Sequence, residues 1–143
     1  MKTIKRSAEV PYSAAKMFDL VNDIGAYPEF LPWCEWSRVE SAGDGFVEAS
    51  IGVALAGFRK SFRTRNRLDR PRSIQIGLVE GPFKRLEGRW IFEDLGADRS
   101  RVTLMLDFEV AASPLKFAFE LLFEEVGRQQ VAAFARRADA LYA

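Results

Sequence analysis

In the run FRKSFRTRNRL, residues 58–68, the side chains alternate in character. Lys60, Thr64 and Asn66 share a parity with Phe62, while Arg59, Arg63, Arg65 and Arg67 take the opposite one. That is the period of a β-strand, whose successive side chains leave opposite faces. One face offers amide, hydroxyl and ammonium groups able to donate to a carbonyl oxygen. The other offers four guanidinium forks, which suit phosphates. The flanking segments present Glu48 on one side and Gln75 and Gly77 on the other, so cross-strand pairing is expected to leave this arginine stripe largely unneutralised. Such a stripe would attract the phosphates of anionic lipid or of RNA.

Other chemistry is excluded by composition. The 143 residues include no histidine, which removes imidazole acid–base catalysis, a Ser-His-Asp triad and imidazole metal ligands. Cys34 is the one cysteine, so there is no internal disulfide and no multi-cysteine zinc site; beside Trp33, with no histidine to activate it, it is expected to be a buried inert thiol. Asp107 and Glu109 fall on an outward parity, and no glycine-rich phosphate loop or metal-ligand cluster occurs. No catalytic residue and no metal is expected. The net charge is only +1, so attraction to anions must come from clustering.

The elements that must position these groups are legible from periodicity. Residues 3–10 alternate as a strand, Pro11 ends it, and Ser13 is a candidate N-cap for a short helix through AAKMFDLVNDI. AYPEFLPWCEW, residues 26–36, then gathers Tyr27, Phe30, Leu31, Trp33 and Trp36 around two prolines and fits neither a long helix nor a strand. From residue 35 to residue 110 the pattern is period two, punctuated at Ala42-Gly43-Asp44-Gly45, Gly57, Asp69-Arg70-Pro71, Gly81-Pro82 and Gly96-Ala97-Asp98. This gives about seven strands joined by short turns, hence an antiparallel meander. Ser113 and Pro114 are expected to open a helix that runs to Tyr142, with Leu115, Phe119, Leu122, Phe123, Val126, Phe134, Ala138 and Leu141 on its apolar face. The expectation is a single α+β domain over residues 1–143, a curved sheet wrapped around one long C-terminal helix.

A helix ~10 Å wide does not fill the concavity of a seven-stranded sheet, so a hollow is expected between them. Its walls would come from Phe18 of the short helix and from Tyr27, Phe30, Leu31 and Trp33 of the proline–aromatic segment, which would form a lid. Val47, Ile51, Phe62, Ile76, Trp90, Leu104 and Phe108 would contribute from the strands, and Phe119, Phe123 and Val126 from the long helix. The small residues Gly88 and Gly127 would leave volume. Thr64 and Asn66, with Lys60, Arg6 and Lys84 of inward parity, would orient a polar head group.

The motifs VPYSA (10–14), YPEFLPWC (27–34), FRTRNRL (62–68), LVEGPFKRLEGRW (78–90), LDFEV (106–110) and AFARRA (133–138) occur in order over nearly the whole chain. Together they resemble the START-like, helix-grip superfamily that includes polyketide cyclases, and within it the coenzyme-Q-binding branch. That branch also holds bacterial proteins labelled ribosome association toxins. The resemblance implies a sheet gripping the C-terminal helix around a lipid-sized tunnel. It also implies binding of ubiquinone or a related polyprenyl quinone in support of respiratory electron transfer. The Trp33-Cys34 pair leans towards the quinone binders.

The expected protein is thus a non-enzymatic lipid carrier or chaperone with no covalent cofactor. It would serve respiration or quinone biosynthesis, and the arginine stripe would dock it at a membrane. The rival expectation is a toxin that uses that stripe on the large ribosomal subunit and blocks subunit joining. With no apolar leader and no stretch of ~18 apolar residues, a cytoplasmic protein, peripheral at the inner membrane, is expected.

Overall fold

The computed structural model describes residues 1–143. It contains strand β1 (Lys2–Val10), helix α1 (Ala14–Asn22), a 3-10 helix (Ile24–Glu29), strands β2 (Cys34–Gly43), β3 (Phe46–Leu55), β4 (Phe58–Asp69), β5 (Ser73–Glu80), β6 (Phe83–Gly96) and β7 (Arg99–Val110), and helix α2 (Lys116–Tyr142). The seven strands form one sheet in the order β1-β7-β6-β5-β4-β3-β2, antiparallel throughout. Strands β2 to β7 are the expected meander. β1 lies beside β7, so the chain crosses from one edge of the sheet to the other through α1 and the 3-10 helix.

Local chemistry sets the boundaries. The Ser13 side chain accepts from the Lys16 N–H at 3.2 Å and caps α1. Ala56 and Gly57, both at positive φ, make the two-residue hairpin between β3 and β4, as Ala97 and Asp98 do between β6 and β7. Helix α2 starts at Lys116 rather than at Pro114. Ser113 gives it no side-chain cap, and its carbonyl instead accepts from Lys116 N–H in a tight turn. The two ends of the expected apolar face are also exposed, Leu115 at 62% and Leu141 at 50%.

The core lies between the concave face of the sheet and α2. It holds the alternating inward residues Val102, Leu104, Leu106, Phe108 and Val110 of β7 and their counterparts on the neighbouring strands. Gly88 and Gly127 do not leave empty volume. A Cβ on Gly127 would lie 2.7 Å from Ile4 Cδ1, and one on Gly88 would lie 3.0 Å from Leu106 Cδ1. The glycines let neighbouring side chains occupy the space. No helix is long and apolar enough to cross a membrane.

Candidate ligand cavity

The parity of β4 carries Phe62, Thr64 and Asn66 to the concave side, where all three are buried. They face an apolar cavity of about 100 Å³ beneath α2. Of the expected wall, Tyr27 and Trp33, Ile51, Phe62, Ile76, Trp90 and Leu104, and Phe123 and Val126 line it, as do Thr64 and Asn66. The α2 spacing 123, 126, 127, 130, 134 brings Gly127, Gln130 and Phe134 to the same side. Val21, Ile24, Ile74, Leu86 and Leu106 complete the lining. Phe134 lay on the predicted helix face and Leu86 and Leu106 on predicted inward parities. Gln130 was missed because a glutamine reads as a solvent-facing residue until its helical phase is compared with Val126 and Phe134.

Six expected wall residues pack away from the cavity, five of them buried and Phe30 half-buried. Phe18 packs under α1 on Phe92, with ring centroids 5.6 Å apart. Phe108 and Phe119 join Phe58, Phe62, Phe83 and Phe123 in a cluster of phenylalanines that fills one end of the concavity. Leu31 and Val47 are core, and Phe30 packs on Tyr27 and Phe134 at 6.1 and 5.2 Å. The expected lipid-sized hollow is therefore smaller than anticipated. A cavity of ~150 Å³ is what one benzene occupies, so a larger guest has to part these side chains.

The segment 27–33 closes one side. The Tyr27 hydroxyl donates to the Val21 carbonyl, and burial holds its pKa far above the usual phenol range. The backbone ties Leu31 N–H to Tyr27 O, Cys34 N–H to Leu31 O and Ala54 N–H to Trp33 O. Arg137 of α2 sits over the Phe30 ring at 5.0 Å and pairs with Glu29 at 3.1 Å. Trp36 does not belong to this closure. A bulge in β2 between Cys34 and Trp36 turns its indole to the outer face, flat over Gly52. Cys34 stays inward and buried, and burial pushes its thiol up to about 11.

Polar groups in the cavity are few. Gln130 Nε2 donates to the Val126 carbonyl at 3.0 Å. Trp33 Nε1 and Asn66 Oδ1 are buried with no hydrogen-bond partner. Such groups each carry a desolvation penalty of roughly 1–3 kcal/mol, which a bound partner would relieve. The expected inward cations do not reach the cavity. Lys60 and Arg6 are exposed, and Lys84 is exposed beside Glu109 at 3.8 Å. Lys60 and Lys84 sit near strand ends, where a long side chain can turn to water, and Arg6, midway along the edge strand β1, donates to the Lys5 carbonyl at 3.1 Å.

On the outer face the arginine stripe is largely neutralised, contrary to expectation. Arg59 pairs with Glu35 at 3.1 Å. Arg63 and Arg65 share Glu48, through Arg63 Nε at 2.9 Å and Arg65 Nη1 at 3.6 Å. Arg67 has no acid partner among the ion pairs. Register places Arg67 in one cross-strand row with Gln75, Arg89, Met105 and Lys5, and neither Arg89 nor Lys5 pairs with an acid.

The family of polyketide cyclases/dehydrases and lipid transport proteins matches residues 10–135. Over 142 residues the chain is 43% identical to the ribosome association toxin RatA of Escherichia coli K12, covering 99% of this chain and 90% of the relative. It is 24% identical over 145 residues to the mitochondrial coenzyme Q-binding protein coq10 of Schizosaccharomyces pombe, covering 96% and 87%. Its fold matches that of a START superfamily protein from Mycobacterium smegmatis with TM-score 0.83 and 24% identity, over 97% of this chain and 98% of that one. The START-like helix-grip architecture expected from the sequence is the one observed.

Proposed function

The chain belongs to the polyketide cyclase/dehydrase and lipid transport family, and from that premise we propose that it binds a polyprenyl quinone, ubiquinone in the first instance, as a carrier rather than as a catalyst. The observation that carries this reading is the pair Trp33 Nε1 and Asn66 Oδ1, two buried polar atoms without partners on residues that line a largely apolar cavity. The indole N–H is a fixed donor and suits a carbonyl oxygen. The Asn66 amide can present either end, so it serves a carbonyl or a hydroxyl. A hydrocarbon tail drawn between the sheet and α2 would gain roughly 0.8 kcal/mol per buried methylene, which supports parting the phenylalanine cluster.

The lining also favours a carrier over an enzyme. It contains no carboxylate, ammonium, guanidinium or thiol, and the hydroxyl of Tyr27, its single titratable group, is engaged with Val21. The coq10 relative is named for coenzyme Q binding. In this reading the protein would support respiratory electron transfer or quinone biosynthesis. The test is organic extraction of the purified protein and mass spectrometry of the extract. A polyprenyl quinone near one per chain is the expected result, and an extract with no isoprenoid lipid would overturn the reading.

A second reading, association with the ribosome, is favoured by the name of the RatA relative and by the unpaired row Arg67, Arg89 and Lys5 on the outer face. Co-sedimentation with large subunits that is lost on raising salt, and lost again in an Arg67→Glu, Arg89→Glu variant, would support it.

A further inference from the structure

The start of α2 presents apolar surface to water. Phe117 is 76% exposed, and Leu115 and Leu121 are each 62% exposed. Phe117 and Leu121 are four residues apart on the helix and therefore neighbours on one face. Between Glu109 and Glu120, whose carboxylate accepts from the Val110 N–H, the segment from Val110 to Phe119 contains one charged residue, Lys116, whose Nζ lies 5.7 Å from the Phe117 ring centre. Leu115 also borders a cleft shared with Phe58, Pro82, Phe119 and Lys60. Lys60 has no acid partner among the ion pairs around it, and Lys84 and Lys116 share one, Glu109, at 3.8 and 3.9 Å.

We propose that this end of the molecule, Leu115, Phe117 and Leu121 with the lysines around them, docks on an anionic phospholipid bilayer. Exposed aromatic and leucine side chains beside lysine are the composition of an interfacial helix segment, which sinks its apolar side chains to the headgroup boundary and holds anionic headgroups with its cations. Three large apolar side chains this exposed within seven residues call for a partner. The cations fix the sign of the lipid, and the outer-face Arg59, Arg63 and Arg65, already paired with Glu35 and Glu48, are not needed.

The position has a consequence for the cavity. From the patch inwards Phe58 meets Phe119, Phe119 meets Phe83, and Phe83 meets Phe62 and Phe123, with ring centroids 4.9–6.1 Å apart. Phe62 and Phe123 line the cavity. A hydrocarbon guest would cross from bilayer to cavity along phenylalanine rings without meeting water. Docking itself stands on the exposed residues and is independent of what the cavity binds.

The test is co-sedimentation with vesicles of phosphatidylcholine alone and of phosphatidylcholine mixed with phosphatidylglycerol, using the full chain and its Phe117→Ser, Leu121→Ser double variant. Both side chains are exposed, so the variant is expected to fold, which circular dichroism checks. The native chain should bind the mixed vesicles, prefer them over the neutral ones and lose binding roughly tenfold or more in the double variant. A Lys60→Glu variant should weaken binding to the mixed vesicles alone. The proposal is overturned if the native chain ignores the mixed vesicles, or if the double variant binds them equally well. It is overturned too if the native chain is a dimer in ultracentrifugation that the double variant dissolves, because the patch would then be covered by a second copy.

Discussion

Ile4 Cδ1 lies 2.7 Å from the position that a Cβ on Gly127 would take. This contact draws α2 down onto β1 beside the cavity, with Leu106 Cδ2 at 3.3 Å on the other flank. Alanine at 127 would favour helix by about 1 kcal/mol but overpack a site where Ile4 is 3% exposed, at a cost of roughly 1–3 kcal/mol. Gly127→Ala is therefore expected to lower stability by about 1 kcal/mol, read as a fall in the denaturation midpoint. Adding Ile4→Val removes the offending methyl and should restore it. A single variant more stable than the native chain would show that Ile4 swings aside freely.

The closing segment depends on Arg137. Removing its guanidinium strips the ring contact from Phe30 and the ion pair from Glu29. Arg137→Ala should speed amide exchange at Leu31 and Cys34, whose N–H groups bond within the segment, while exchange in the middle of β7 stays unchanged. Equal acceleration in both places would mean that the arginine supports the whole fold and not the closure.

Cys34 gives a prediction in pH. Its thiol ionises near 11 in the fold because of burial, against an ordinary 9.0. The unfolded chain therefore loses this proton first, and the thiol's contribution to stability is present below about pH 9 and is lost as pH rises towards 11. Native protein should alkylate at pH 8 roughly a hundredfold more slowly than urea-unfolded protein. The Cys34→Ala variant should show a flatter stability profile between pH 9 and pH 11. Alkylation at the same rate in both states would contradict the burial.

Much of this arrangement could be read in the chain before folding. Strict alternation in 58–68 placed Phe62, Thr64 and Asn66 inside because a strand with one buried face has no freedom of register. The turns at Gly57 and Gly96–Asp98 were visible for the same kind of reason, since two-residue hairpins need positive φ. Features set by single long-range contacts were not visible. Glu48 reaches two arginines along β4, and Glu35 reaches Arg59 past the β2 bulge, so charges that looked unopposed are paired. That bulge also sends Trp36 outward. The size of the cavity depends on how six phenylalanines pack together, which no periodicity encodes. The identity of a ligand lies further still from the pattern, in unpartnered atoms of two residues that only the assembled fold brings to one cavity.

Asn66 links stability to binding. A buried amide oxygen without a partner is unfavourable to the fold, so Asn66→Leu should raise stability by roughly 1 kcal/mol, seen as a higher midpoint in thermal denaturation. A lower midpoint would indicate that the amide is satisfied and has no need of a guest.

The central claim is that the cavity holds a carbonyl-bearing isoprenoid through Trp33 and Asn66. Its most direct test is a titration of the delipidated protein with a short-tailed ubiquinone, the native chain and Asn66→Leu side by side. The expected result is saturable one-to-one binding by the native chain and binding at least roughly tenfold weaker in a variant that is equally well folded. No saturable binding by the native chain, or equal affinity in the two, would contradict the claim.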